Sequence, residues 1–216
     1  MAPQYSVDRL LIRPVSSTVI QDIQAYNATG LATIAYYYFD FRDVKKQDRY
    51  GLLSSLLAQL SAESDSCCEI LSQLYVDNAG GTRKPTRGAL SKCLKDILGL
   101  PRQGQIYLIV DALDECPNLS GTPSAREEVL DLVEELVDLE LPNLRLCVAS
   151  RPEIDIRTVL EPLTSLKISL HDEIGQKEDI LEYIKSVVRS DRKMRKWKEE
   201  DKQLVIDTLS DKGDGM

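Results

Sequence analysis

The sequence predicts an α/β fold built on a parallel sheet, and two observations support this. Short apolar runs, rich in β-branched and aromatic residues, alternate along the chain with longer segments whose apolar residues recur at helical spacing. Apolar runs of this kind are typical of strands covered on both faces, as in parallel sheets. Strands and helices that alternate in sequence indicate an α/β architecture.

Four segments carry the strand pattern. The first, LATIAYYYFDF at residues 31–41, is aromatic and β-branched. The others are IYLIV at residues 106–110, LRLCVAS at 144–150 and SLKISL at 165–170. IYLIV is the most completely apolar of the four, which predicts a strand with no solvent-facing side.

The segments between these strands have helical periodicity. In RYGLLSSLLAQLS at residues 49–61, five leucines fall on one face, and TRGALSKCLKDILGL at 86–100 has a similar apolar face. Residues 124–142 form the clearest predicted helix, because they open with the S-x-x-E spacing of a capping box and close on Leu-Pro. Helical patterns without another strand continue from Gln176, where we expect a small helical subdomain to begin.

Composition limits the class of protein. Hydrophobic residues make up 43% of the 216 residues and charged residues 29%, values ordinary for a soluble globular protein. The formal net charge of -8 argues against a nucleic-acid partner, because such affinity comes from clustered Lys and Arg. Five cysteines without a CxxC pair, and a single histidine, fit reduced thiols better than a disulfide framework or a zinc site. We therefore expect a cytoplasmic protein, with no membrane partner because no apolar run is long enough for a signal peptide or a membrane span.

One charged segment allows two interpretations. Residues 189–202, RSDRKMRKWKEEDK, contain seven basic and four acidic residues around Trp197. A membrane-binding or partner-binding patch and a solvated helix and turn are both compatible with this composition. Charge runs are usually solvated, so the sequence alone favours the second interpretation, with Trp197 covering a local apolar spot.

Polar residues follow three of the predicted strands. Asp40, Arg42 and Asp43 come at the end of the aromatic strand, where a solvated loop is the favoured interpretation. Asp111, Asp114 and Glu115 come after IYLIV, and Ser150 and Arg151 close the LRLCVAS run. Because ligands of parallel α/β sheets gather at the carboxyl ends of strands, these are candidate site residues. Acids that hold a hydrated Mg²⁺ and polarise a water, with an arginine that meets a phosphate, are the groups that phosphoryl-group hydrolysis needs. The alternative is structural: the acids cap the following turn, and Arg151 pairs with one of them.

Four segments together resemble a known family. They are YYYFDFRD at residues 36–43, LIVDALDEC at 108–116, LRLCVASRPE at 144–153 and DILEYI at 179–184. They resemble the NACHT-type P-loop NTPases of the STAND class, in particular the nephrocystin-like N-terminal module of fungal multidomain proteins. The resemblance runs from about Val15 to Met216, and the Asp-Ala-Leu-Asp-Glu-Cys segment is its most specific part.

The resemblance implies a role for each candidate residue. Asp111 matches the Walker B aspartate, which holds Mg²⁺ through its water shell. Asp114 takes the downstream acidic position that polarises water, and Glu115 lies beside it. Arg151 matches the arginine that senses the terminal phosphate, and Ser150 assists by hydrogen bonding. The implied cofactors are Mg²⁺ and either ATP or GTP.

The resemblance also implies a fold and a division into domains. We expect a three-layer P-loop NTPase-like sheet with strand order 5-1-4-3-2, whose first strand is shortened to residues 9–12. The expected division is an irregular N-terminus over residues 1–14, a NACHT-like core over 15–175 and the start of an incomplete helical subdomain over 176–216.

One part of the family pattern, the Walker A phosphate cradle, has no counterpart in this chain. The cradle has the form G-x-x-x-x-G-K-[ST], and neither Gly-Lys-Ser nor Gly-Lys-Thr occurs in the sequence. Residues 9–12 have the pattern of the first strand and residues 15–26 that of the helix after the cradle, so a loop of about eight residues is missing between them. Carboxylates without the cradle bind Mg²⁺ poorly, because this ion relies on substrate phosphates for much of its coordination.

The sequence therefore predicts a NACHT-like signalling module that is not a working NTPase. Its ancestor, by resemblance, is an ATP- or GTP-dependent switch of fungal self/non-self recognition or cell-death signalling. Such modules act through protein partners and oligomerisation. Two alternatives stay open: a nucleotide-independent interaction or scaffold protein, and a fragment of a larger NACHT protein without a function of its own.

Overall fold

A computed structural model of the chain describes residues 20, 21, 23, 24, 32–118, 123–167 and 176–213. The chain divides into two compact units, Met1–Ile168 and Ser169–Met216. The domain bounds expected from the resemblance stay a prediction. In the described part, no helix is both long and apolar enough to cross a membrane.

The first unit contains a parallel sheet, which confirms the predicted α/β class. Its described strands are β1 (Ala32–Tyr38), β2 (Gln105–Asp111) and β3 (Leu144–Val148). They lie in the order β1-β2-β3, and both neighbouring pairs are parallel. The register places Tyr38 opposite Asp111, and Val110 opposite Val148, so the three carboxyl ends lie at one edge.

Helices occupy most of the remaining described chain. The first unit contains α1 (Arg49–Ser61), α2 (Asp65–Asp77), α3 (Arg87–Leu98), α4 (Ala125–Val137) and α5 (Ile154–Leu163). The second unit contains α6 (Gln176–Ser190) and α7 (Glu199–Gly213). Short 3-10 turns are formed by Val44–Lys46, Leu113–Glu115 and Met194–Lys196.

Side-chain caps fix where four of these helices begin. Asp48, Ser64, Thr86 and Ser124 each accept a hydrogen bond from the backbone N–H three residues ahead. At Ser124, the carboxylate of Glu127 also accepts from the backbone N–H of the cap, at 2.7 Å. The capping box predicted from the sequence is therefore present, and it satisfies two N–H groups that the helix itself cannot.

The core lies on both faces of the sheet. On one face, the five leucines of α1 are buried with residues of α3 and α4 against Leu108 and Val110. On the other face, Ile20, in a helical segment, packs against Ile34 and Ile109. Successive strand residues point to opposite faces, so two clusters on alternating positions mean a doubly covered sheet. This explains why IYLIV lacks polar residues.

Some sequence-based expectations differ from the structure or lie beyond it. The predicted strand 31–41 ends at Tyr38, and the predicted strand 144–150 ends at Val148. Of the predicted strand 165–170, residues 165–167 are irregular and the rest lies outside the described residues. Residues 9–12 also lie outside them, so the order 5-1-4-3-2 stays a prediction.

Candidate functional site

The candidate residues lie where β2 and β3 end. Asp111 is the last residue of β2, and Leu113–Glu115 forms the turn that follows. The backbone N–H of Leu113 donates to the carbonyl of Ala149, just after β3, at 3.1 Å. This bond holds the two chain segments side by side at the carboxyl edge of the sheet.

Asp111 is a buried carboxylate, with 3% of the residue exposed. Its Oδ1 accepts from the backbone N–H of Ala112 at 2.8 Å. Ala112 has a left-handed backbone (φ 55°), which turns the chain sharply out of β2. Burial raises the pKa of Cys147 to about 12 and also raises the pKa of Tyr38, and in both cases the negative charge of Asp111 adds to the shift. Asp111 therefore lies in a weakly solvated environment in which its charge is felt strongly.

Asp114 and Arg151 contact each other. Asp114 Oδ1 accepts from the backbone N–H of Arg151 at 3.1 Å, and its Oδ2 lies 3.4 Å from the Arg151 Nε. The Asp114 side chain is 11% exposed, whereas that of Arg151 is 83% exposed. The carboxylate is thus held in place, and the guanidinium remains largely in solvent.

Glu115 and Ser150 make separate contacts. Glu115 Oε2 accepts from the backbone N–H of Phe41 at 3.2 Å, which ties the loop after β1 to the turn after β2. Ser150 is exposed, and its hydroxyl donates to the carbonyl of Arg151 at 2.9 Å. The hydroxyl thus stabilises its own loop, whereas Glu115 joins two loops of the edge.

Arg126 organises the same edge, although the sequence analysis did not single it out. This α4 residue is 5% exposed, and its guanidinium donates to the carbonyls of Cys116 at 2.9 Å and Asp114 at 2.6 Å. It also pairs with Glu153 and, at 3.1 Å, with Asp155. Burial lowers the pKa of Arg126, but hydrogen bonds to these carboxylates more than compensate and raise it.

A signal for Arg126 is present in the sequence. Arg126 lies at helical spacing from Val129, Leu130 and Val133, which form the buried face of α4. A charged residue on an apolar helix face calls for a buried partner. The partners cannot be read from this pattern, because they lie beyond the helix at both the turn after β2 and the segment after β3.

The nephrocystin 3 N-terminal family matches the chain over residues 14–151. The chain belongs to this family. The matched stretch contains β1, β2 and β3 and ends at Arg151, so all five candidate residues fall within it. No curated protein matches the chain. The nephrocystin-like part of the predicted resemblance is confirmed, and the wider assignment to NACHT P-loop NTPases stays a prediction.

The described residues of this nephrocystin 3 N-terminal domain do not fit a Mg²⁺ ion on their own. One Asp111 oxygen accepts from Ala112, and both oxygens of Asp114 face Arg151. Within the described ranges, no group of three or more His, Cys, Asp or Glu side chains could hold a metal ion. Mg²⁺ demands nearly ideal octahedral oxygen coordination, which the carboxylates of Asp111 and Asp114 do not supply by themselves.

Proposed function

We propose that this nephrocystin 3 N-terminal domain is a NACHT-like signalling module, derived from an ATP- or GTP-dependent switch, that does not hydrolyse nucleotide. One observation carries the proposal. Asp111, Asp114 and Arg151 lie together at the carboxyl edge of a parallel sheet, in a chain that has no Gly-Lys-Ser or Gly-Lys-Thr. The chain thus has the acidic residues of a nucleotide site but lacks the phosphate cradle.

The missing cradle matters because phosphate binding depends on converging donors. In a P-loop, several backbone N–H groups and a lysine surround the phosphates at a helix N-terminus. Arg151 offers one guanidinium, which is largely in solvent and already 3.4 Å from Asp114. One mobile charge does not replace a ring of fixed donors. In this proposal, the acids at the carboxyl edge of the sheet are inherited from a nucleotide-binding ancestor.

A nucleotide-independent interaction protein is the second candidate, and a separate observation favours it. Phe41 and Val44 follow β1, Ile154 follows β3, and all three side chains are exposed. Exposed apolar and aromatic side chains are typical of protein contact surfaces. Protein partners and oligomerisation are part of either candidate function, and nucleic acid is not.

Nucleotide titration tests the proposal. The purified chain is titrated with fluorescent ATP and GTP analogues in the presence of Mg²⁺, alongside Asp111→Asn. The control is Asp131→Asn, which removes an exposed acid of α4. We expect no saturable binding in the micromolar range for any of the three proteins. Micromolar binding that is lost in Asp111→Asn and kept in Asp131→Asn would overturn the proposal.

A gain of binding separates the two candidate functions. Residues 13–14 are replaced by a G-x-x-x-x-G-K-S loop, at the position where the sequence predicts that the cradle is missing. For a degenerate nucleotide switch, we expect this variant to bind the analogue with Mg²⁺ and to lose binding when Asp111→Asn is added. A folded loop variant that still binds nothing would favour the nucleotide-independent interaction protein.

A further inference from the structure

The connection between α6 and α7 carries a dense positive charge. Residues 192–198, RKMRKWK, contain five basic residues and no acid, in a chain whose formal net charge is -8. We call this segment the basic turn. Its charge is therefore opposite in sign to that of the molecule as a whole.

The five basic side chains of the basic turn face solvent. Arg192, Lys193, Arg195, Lys196 and Lys198 are all exposed. Within the described residues, none of them forms a salt bridge. In the first unit, by contrast, Arg49, Arg87 and Lys95 pair with acids of α4. The positive charge of the basic turn is thus available to an external partner.

The basic turn is a defined structure. Asp191 Oδ1 accepts from the backbone N–H groups of Lys193 at 2.6 Å and Met194 at 3.3 Å. A 3-10 turn, Met194–Lys196, follows, and the N–H of Trp197 donates to the carbonyl of Met194 at 3.0 Å. Trp197 lies between basic residues in the sequence of the basic turn, and it is 45% exposed.

The basic turn joins the two helices of the second unit. Helices α6 and α7 pack against each other, and a short connection joins them. The connection therefore lies at one end of the helix pair. Three acids, Glu199, Glu200 and Asp201, open α7 and reduce the local charge, but Glu199 is already paired with Lys202 at 3.1 Å.

We propose that the basic turn binds the surface of an anionic phospholipid membrane. Clusters of basic residues are attracted to the negative surface potential of such membranes, and tryptophan partitions into the headgroup region. Both features lie within seven residues of one turn. Nucleic-acid-binding domains are typically basic overall, whereas the formal net charge of this chain is -8. The inference is independent of nucleotide. It goes beyond the sequence-based expectation of a solvated segment, with which the exposed side chains agree, and departs from the expectation of no membrane partner because five exposed cations form no salt bridge within the described residues.

Vesicle sedimentation tests the proposal with the full chain. The chain is mixed with vesicles of phosphatidylcholine alone, and with vesicles in which phosphatidylserine replaces part of it. We expect sedimentation only with the second kind, and its loss on addition of salt, because salt screens the attraction. Each basic residue near such a surface contributes about fivefold to binding. A triple substitution, Arg192→Gln, Arg195→Gln and Lys196→Gln, is therefore expected to weaken binding about 100-fold.

A matched control variant has the same net charge as the triple variant of the basic turn. Arg83→Gln, Lys92→Gln and Arg102→Gln remove three exposed basic residues of the first unit, and this variant should bind vesicles nearly as well as the wild type. Circular dichroism checks that both variants are folded. Three results would overturn the proposal: no phosphatidylserine-dependent sedimentation, equal losses in the two triple variants, or tighter binding to single-stranded RNA than to the vesicles.

Discussion

A buried guanidinium needs an acceptor for each of its N–H groups, and Arg126 finds them on two segments of the chain. The carbonyls of Asp114 and Cys116 belong to the region after β2. The carboxylates of Glu153 and Asp155 follow β3. At the scale of the single residue, Arg126 thus joins the two segments that carry the candidate site.

Removing the Arg126 guanidinium should therefore be costly. We expect Arg126→Met to lower the free energy of unfolding by about 2–4 kcal/mol, because two backbone carbonyls and two carboxylates lose the buried guanidinium that donates to them. Arg157→Met is the matched control, since Arg157 forms an exposed ion pair with Glu161 and should cost much less. Urea denaturation of both variants measures the difference. Equal losses would contradict the joining role of Arg126.

Cys116 gives the domain a predictable sensitivity to alkaline pH. Its thiol is fully buried and donates to the carbonyl of Gln47 at 3.3 Å. Burial raises the pKa of this thiol from 9.0 to about 12, although the charge of Arg126 opposes the rise. Between these two values the unfolded chain loses the thiol proton and the folded chain keeps it. The folded state is therefore destabilised as pH rises above 9.0.

The expected effect of Cys116 is a loss of up to about 1.4 kcal/mol of stability per pH unit in this window. Cys116→Ala lacks this contribution, so its stability relative to the wild type should improve as pH rises. Cys68→Ala, at an exposed position on α2, is expected to follow the wild-type pH profile. Urea denaturation between neutral pH and about pH 10 measures the profiles. Parallel profiles for wild type and Cys116→Ala would rule out the mechanism.

At the scale of the element, the first turn of α1 packs closely against the preceding segment. A Cβ on Gly51 would lie 2.5 Å from the carbonyl oxygen of Lys45 and 2.7 Å from the hydroxyl of Tyr37. The first contact is with backbone, so a change of side-chain rotamer cannot relieve it. Gly51 is thus required by packing, despite the low helix propensity of glycine.

The expected cost of Gly51→Ala is about 1–3 kcal/mol, because the overpacking exceeds the gain in helix propensity. Gly88→Ala is the control in α3, where an added Cβ would meet nothing within 4 Å. That substitution should be neutral or stabilise by up to about 1 kcal/mol. Thermal unfolding of both variants provides the comparison, and a stabilised Gly51→Ala would show that the segment around Lys45 adjusts at little cost.

Local signals explain which elements could be predicted from the sequence. Five leucines on one face predicted α1, and the Ser124–Glu127 box predicted the start of α4. Helix α2 was missed, although Cys67, Ile70, Leu71 and Leu74 recur at helical spacing and pack against or within the core. Helix α5 was missed as well, and it contains Pro162, a residue that usually argues against a helix.

The candidate site was predictable to a similar extent and for a similar reason. The rule that ligands gather at strand ends picked out Asp111, Asp114 and Arg151, which the structure places at one edge. The ion pair of Asp114 with Arg151 is the contact that the structural alternative expected. Arg126 was missed because its importance depends on partners from two distant loops, which no local pattern specifies.

At the scale of the whole molecule, the two units differ in how much apolar surface they bury. The first unit has an extended core that joins its sheet to α1, α3 and α4. Among residues 181–210 of the second unit, Val188 and Ile206 are the only fully buried hydrophobic residues, and Tyr183 and Leu204 are exposed. Burial of apolar surface is the main source of stability. The second unit should therefore open more readily than the first.

Hydrogen exchange can measure this difference directly, because local opening has a lower free energy where few apolar contacts are lost. We expect amides of α6 and α7 to exchange through local opening, while amides of β2 and α1 exchange only with global unfolding of the first unit. Low concentrations of urea should accelerate exchange in β2 and α1 steeply and in α6 and α7 only weakly, because global unfolding exposes more surface than local opening. Equal protection in all four elements would mean that the helix pair unfolds together with the sheet, and that its small core is not what limits its stability.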